Sequence, residues 1–239
     1  MAFIAISYKV RTGHEDDIAE IFSERNFKRA DSAEYRDEQG RAAGRNVSTG
    51  LFIEGEFMTR VVQFEGDLRQ IGPHMGAQEG VKEAERRLSP YLQVPRDTQT
   101  VAGFREYFQN ALMQCVFQEA RAERSAQLAA WVYRVKAGHD DEIGEVFEKV
   151  QGAVFEGTGA EQGPLLASAA FVKDAYLVWA VQYEGELGDV VGHLTSSGIA
   201  RQTEEGLLPY LADARPAATP EEFGAATMRR LQMLSAEVP

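Results

Sequence analysis

Four histidines fall into two pairs along this chain, His14 with His139 and His74 with His193. An imidazole titrates near neutrality, so each is a candidate general base. His74 and His193 stand at the entry to a helical segment and are assigned the catalytic role; the competing reading is a helix-terminus histidine packed on a sheet. His14 and His139 lie at strand-to-helix turns beside acids, where a polar side chain commonly makes local hydrogen bonds. Trp131 and Trp179 offer flat faces on which an aromatic ring could stack, or else they fill the core. Arg60, within a strand, either needs a partner such as a phenolate or carboxylate, or points to solvent. Tyr8 and Tyr133 could bind ring oxygens, although a buried hydroxyl normally finds a local partner. These five form the expected substrate-binding set.

Other chemistries lack support. There is no H-E-x-x-H, no cysteine pair and no close histidine pair, so no metal site is expected. A dinucleotide fingerprint and a P-loop are absent, leaving nucleotide and flavin binding without a signal. The lone Cys115 excludes an intrachain disulfide framework and fits a reducing compartment. Lys plus Arg number 25 against 37 Asp plus Glu, a formal net charge of −12 that disfavours nucleic acid, whose phosphates require a basic face. The start, MAFIAISYKVRTG, lacks the basic lead and long apolar core of a secretory signal, and no window is apolar enough to span a bilayer. A cytoplasmic protein without a membrane partner is expected.

The histidine pairs belong to a larger repeat. YKVRTGHEDDIAEIF (8–22) aligns on YRVKAGHDDEIGEVF (133–147) with eight of fifteen positions identical. VVQFEGDL (61–68) aligns on AVQYEGEL (180–187), and ERRLSPYL (85–92) on EEGLLPYL (204–211). The same offset carries Arg96 onto Arg215, Phe104 onto Phe223 and Leu112 onto Leu231. Two units, 1–119 and 126–238, therefore cover nearly the whole chain. Trp131 and Trp179 are matched in the first copy by Ile6 and Arg60. If the ancestor had two equivalent cavities, this asymmetry predicts that one was kept and the other filled.

Within one unit the periodicities predict a strand over 3–10, a helix from Glu15, a long loop over 28–45, a hairpin over 49–66 turning at Glu54-Gly55-Glu56, and a helix over 67–88. A short last strand over 91–94 and an extra helix over about 101–118 complete it. The second copy predicts strands at 128–136, 165–173 and 175–184, with helices at 139–152, 186–206 and 220–235. The order β-α-β-β-α-β is the ferredoxin-like arrangement, whose sheet carries helices on one face only. The expected fold class is α+β: two fused ferredoxin-like repeats forming a dimeric α+β barrel within one chain, each with an extra C-terminal helix. Whether that barrel pairs again as a homodimer is left open.

Together, YKVRTGHEDDIAEIF, VVQFEGDL with GPHM, RLSPYL-x-x-PRD and FREYFQNALMQC resemble the SchA/CurD-like proteins of aromatic-polyketide and spore-pigment clusters. The opening segment also resembles the wider antibiotic-biosynthesis monooxygenase group. The second copy departs in its tail, where FGAATMRRLQML replaces FREYFQNALMQC. The resemblance implies a tailoring enzyme acting on an aromatic polyketide: a monooxygenase using O₂ without any cofactor, a cyclase/aromatase, or a non-catalytic accessory to the synthase complex. An electron-rich phenol or anthrone that loses a proton can pass an electron to O₂, so the substrate supplies the reducing power. The protein binds the ring and biases its ionisation.

Overall fold

A run of alternating β-branched and aromatic residues builds β1 (Ala2–Lys9). The chain then turns through Gly13, at φ +82°, into α1 (Glu15–Phe22), whose first turn holds Glu15, Asp16 and Asp17 where the helix dipole favours acids. The structure, a computed structural model, describes residues 1–27, 32–37, 39–121, 126–152, 163–213 and 219–235. Next come β2 (Glu34–Arg36), β3 (Ala42–Glu54) and β4 (Phe57–Gly66), the last two joined at Gly55. β2 and the start of β3 lie in the stretch expected to be loop. Residues 28–31 and 38 of that stretch lie outside the described residues.

Three helices follow, α2 (Ile71–Ala77), α3 (Glu79–Leu88) and α4 (Val101–Ala111). Gly72 and Gly76 let α2 approach α4 closely: an added Cβ would sit 3.2 Å and 2.9 Å from the rings of Phe108 and Phe104. The second repeat supplies β6 (Gln127–Arg134), α5 (Asp140–Phe147), β7 (Leu165–Lys173), β8 (Tyr176–Tyr183), α6 (Leu187–Ser196), α7 (Ile199–Leu207) and α8 (Pro220–Ala225). Gly198, at φ +81°, divides α6 from α7 within what the sequence reads as one helix.

Two expectations need correction. Residues 91–94 are not a strand: Ser89–Tyr91 form a 3₁₀ turn containing Pro90, and only Leu92 bridges Val10, as Leu211 bridges Val135. Pro90 and Pro95 bracket the segment and cannot donate to a ladder. The tail helices also stop early. After α4 comes β5 (Gln114–Ala120), and after α8 comes β9 (Arg229–Ser235).

These late strands are exchanged. β5, from the first repeat, pairs with β7, while β9, from the second, pairs with β3. One sheet has the order β1-β4-β3-β2 with β9 also on β3, and the other β5-β7-β8-β6. The compact units are consequently Met1–Met113 with β9, and Gln114–Met228. Met113 donates its N–H to Ala5 and Met228 donates its own to Ala130, so these methionines are equivalent. The second tail has therefore lost four residues, one helical turn, between Phe223 and Met228, and the Leu112 to Leu231 match is replaced by Leu112 to Thr227.

The units differ inside. Among the described residues, an apolar cluster of unit 2 gathers around Trp131, Phe147, Trp179 and Phe223. In unit 1, Val10, Phe22, Leu51, Met58 and Leu88 belong to one cluster, and Ile6, Val62, Phe104 and Phe108 to another. On one face of β4 the sequence runs Met58, Arg60, Val62, so Arg60 stands where the clusters part. Among the described residues no helix is long and apolar enough to cross a membrane.

Candidate active site in the first unit

Arg60 lies opposite Ile6 on β1 and Leu51 on β3, and only 7% of it is exposed. Its Nη1 donates to the Gln232 side-chain carbonyl oxygen at 3.3 Å, and the Phe22 ring lies 6.0 Å from its Cζ. Gln232 arrives on the exchanged strand β9. A groove of about 430 Å³ between α1 and β9 is lined by Phe22, Phe27, Gln232 and Leu234, among others, so both groups that touch Arg60 border open space.

Tyr8 follows Ile6 on the same face of β1. The Arg96 guanidinium lies between two phenol rings, its Cζ 4.2 Å from the Tyr8 centroid and 3.9 Å from that of Tyr107 on α4. Glu85 on α3 accepts from Arg96 Nε at 3.0 Å and Nη2 at 2.6 Å. The Arg96 side chain is 9% exposed, and its Nη1 is buried without a hydrogen-bond partner.

Burial raises the Tyr8 pKa, opposed by the charges of Arg60 and Arg96. Tyr107 is raised well above the usual phenol value, again by burial, with Arg96 opposing. Both therefore remain protonated at neutral pH and act as donors. Burial disfavours the Arg96 charge, but Tyr107, Glu85 and Tyr8 outweigh it and hold the guanidinium firmly ionised. Donors and cations gathered in a desolvated site stabilise negative charge on a ring oxygen. A larger cavity of about 750 Å³ beside α4 is lined by Arg36, Arg41, Arg69 and Arg105, of which the first three pair with Glu34, Asp37 and Asp67.

Of the residues chosen from sequence, Arg60 and Tyr8 belong to this cluster. His74 does not. Its Nε2 lies 3.1 Å from the Ser32 carbonyl oxygen and its ring 5.0 Å from that of Tyr35. Tyr35 shares a row with Gly44 and Gly66, six residues along β4 from Arg60, or ~20 Å of strand. Burial lowers the His74 pKa, partly offset by that carbonyl. His193 belongs to unit 2. Its ring lies against Gly163, where a Cβ would come within 2.5 Å, and its Nε2 is buried with no partner. Burial and then the Arg121 charge lower its pKa.

Trp131 and Trp179 have no exposed surface. Trp131 stacks on Phe223 at 4.7 Å and donates Nε1–H to its carbonyl at 3.0 Å, while Trp179 donates to Ser168 Oγ at 3.0 Å. Protein thus occupies both indole donors, and neither indole reaches the surface. Tyr133 is buried and donates to Glu204 at 3.1 Å. Arg215, the repeat match of Arg96, lies outside the described residues. His14 and His139 hold matching local contacts, with Asp17 at 3.0 Å and Glu142 at 3.4 Å. Cys115 lies on strand β5, not on the expected helix, and burial raises its pKa. Among the described residues no group of three or more histidine, cysteine or acidic side chains is placed to hold a metal.

The sequence model of the SchA/CurD like domain matches this chain twice, over residues 1–121 and 126–236. The chain belongs to the SchA/CurD-like family. A 42.8 kDa protein of the whiE locus of Streptomyces coelicolor is 28% identical over 190 residues, 77% of this chain and 45% of that protein. Polyketide synthase CurD of Streptomyces cyaneus is 25% identical over 186 residues, 76% and 47% respectively. This SchA/CurD-like chain spans about half the length of the curated relatives it matches. A candidate monooxygenase from Lactobacillus acidophilus NCFM superposes over 99% of this chain and 97% of its own with a TM-score of 0.51. At 9% identity that likeness is one of fold.

Four residues of the cluster escape sequence reasoning. Glu85 and Arg96 sit in repeated segments, and a strand arginine such as Arg60 marks a polar interior, which together could have drawn attention to them. Tyr107 lies in the tail segment that the second copy lacks, a signal of the same kind as the unmatched tryptophans. Gln232 was out of reach, because its segment reads as helix and pairs with a strand some 180 residues earlier.

Proposed function

We propose that this chain is a tailoring enzyme of aromatic polyketide biosynthesis, a monooxygenase that oxidises a polycyclic phenol or anthrone with O₂ as co-substrate and no cofactor. The observation that carries this reading is Arg60: a buried guanidinium in mid-sheet, hydrogen-bonded among the described residues to a neutral amide alone and lying beside the Phe22 ring. Its field, with the Tyr8 and Tyr107 hydroxyls, favours the enolate or phenolate over the neutral ring. The anion gives an electron to O₂, and the radical pair combines. The net change at an anthrone carbon is CH₂ plus O₂ to C=O plus H₂O, so one oxygen atom enters the product and the other leaves as water. The relatives named for polyketide synthesis support the substrate class.

His74 and His193 remain the proposed bases for the initial proton, and each has its own test. Purified protein is given an anthrone under heavy-isotope O₂, and product mass and oxygen uptake are followed for the wild type, His74→Ala, His193→Ala and Arg60→Gln. Label in the product and its loss in Arg60→Gln are expected. Full activity in both histidine variants removes the imidazoles from the mechanism. A product that differs only by loss of water, without label, makes the protein a cyclase. No turnover of any aromatic substrate favours the accessory role.

A further inference from the structure

Among the described residues, charge does not balance inside unit 1. Arg60 and Arg96 bring two guanidiniums into the interior, and one buried carboxylate, Glu85, answers them; Glu85 is committed to Arg96. The hydrogen-bond partner of Arg60 among the described residues is the neutral Gln232. Both cations act on the Tyr8 hydroxyl, so they share one neighbourhood. A buried cation without a counter-charge destabilises a fold, and a chain retains one where something else supplies the charge. Arg96 adds a second vacancy, since its buried Nη1 has donors and no acceptor. Rings lie beside both cations: Tyr8 and Tyr107 flank Arg96, and Phe22 lies beside Arg60 and lines the groove, whose rim also carries Glu24 and Arg230.

Unit 2 is the internal control. Trp179 stands at the position of Arg60, and by the corrected tail register Phe117 stands at that of Gln232. Trp179 stacks beside Trp131 at 5.3 Å, and the cluster closes. An apolar ring thus fills the position at which unit 1 carries the Arg60 charge.

We infer that unit 1 holds a subsite for one oxyanion borne by a flat aromatic ligand, with Arg60 supplying the unmatched charge and Arg96 Nη1 the unmatched donor. The aromatic part of the ligand rests on the reading proposed above; the anion preference rests on the charge count alone. The oxyanion has two chemical sources, a carboxylate or a phenol acidic enough to be ionised on arrival. A carboxylate would place this step after a hydrolysis that frees an aromatic acid from its thioester.

Binding tests this without turnover. Three probes of similar shape are titrated calorimetrically into the full chain at neutral pH: 2-naphthoate, the neutral 2-naphthamide, and an ionised nitronaphtholate. Naphthoate is expected to bind at least about tenfold more tightly than the amide and to raise the melting temperature where the amide does not. Equal affinity for nitronaphtholate assigns the phenolic source, and weak binding of it the carboxylate source. Arg60→Gln should erase the preference while melting no lower than the wild type, because it removes an uncompensated charge. For Arg96, the double variant E85Q/R96Q takes out the ion pair together and should weaken naphthoate binding without touching the amide. Equal binding of naphthoate and naphthamide to the wild type, or a preference that survives Arg60→Gln, overturns the inference. An intact anion preference without oxygen uptake would sink the proposed oxidation and leave the subsite standing.

Discussion

The two units start from the same repeat and solve the same packing problem differently. In unit 2, Trp131, Trp179, Phe117, Phe147 and Phe223 close the space between sheet and helices, and a chain of buried polar groups beside Trp179 is linked by hydrogen bonds: Trp179 donates to Ser168, Ser168 to Gln151, and Gln151 to Thr203. In unit 1 the corresponding positions hold Ile6, Arg60, Gln232, Phe22 and Phe104, and the apolar core divides around the arginine. One duplicated fold thus holds one half closed by aromatic rings and another divided around a buried charge. The lesson is that a site can be recognised by what its twin lacks. Tyr8 and Glu85 alone are uninformative, because Tyr133 and Glu204 form a hydrogen-bonded pair in the sealed unit as well.

The comparison can be broken by exchanging its key residues. Trp179→Arg forces an unmatched charge into the closed cluster and removes its largest ring; a loss of ~3–5 kcal/mol in chemical denaturation is expected. A well-folded variant would show that unit 2 tolerates what only unit 1 is argued to be built for. The reverse exchange, Arg60→Trp, should leave the fold intact and lower kcat/KM by about 100-fold, or ~2.7 kcal/mol of transition-state stabilisation. Retained turnover would move the chemistry elsewhere.

Smaller effects sharpen the roles of the histidines. Gly163→Ala places a Cβ against the His193 ring at a backbone φ of +58°, and should cost ~1–2 kcal/mol in thermal melting. A parallel fall in oxygen uptake would assign the proposed base to His193, and unchanged uptake would leave His74 as the remaining candidate. The pH dependence is weaker still. His74 and His193 have pKa values depressed by burial, so the unfolded chain binds more protons than the folded one below the ordinary imidazole value of 6.5. Stability should therefore fall as pH drops from 6.5 through the depressed values, and the His74→Gln and His193→Gln variants should each flatten urea midpoints measured across that window. A profile unchanged by both substitutions would mean that neither imidazole is desolvated as described.

Local signals made much of this readable in advance. The β-rich composition of FIAISYKV and of the 49–66 hairpin, the acidic first turn after Gly13, and the repeat itself identify strands, helix and duplication without any long-range information. Arg60 and Tyr8 were recognisable because a charged or phenolic group in an apolar strand calls for an explanation. The tails were misread for a physical reason: QCVFQEA and RRLQMLS have mixed periodicity, and they become strands only because β7 and β3 present free edges to receive them. The histidines drew attention by residue type, whereas their neighbours, a Ser32 carbonyl and a glycine, depend on segments far away in the chain.

By itself, the sequence determined the duplicated α+β plan, the first strand, first helix and hairpin of each copy, and the asymmetry between Trp179 and Arg60, since each follows from contacts within a few residues or from comparing one copy with the other. Tertiary structure alone decided that the terminal strands change places, that Gln232 therefore meets Arg60, and that Arg96 lies between Tyr8 and Tyr107 with one donor unmet. Those facts depend on pairings that join distant parts of the chain, and no local preference encodes them until the whole sheet has formed.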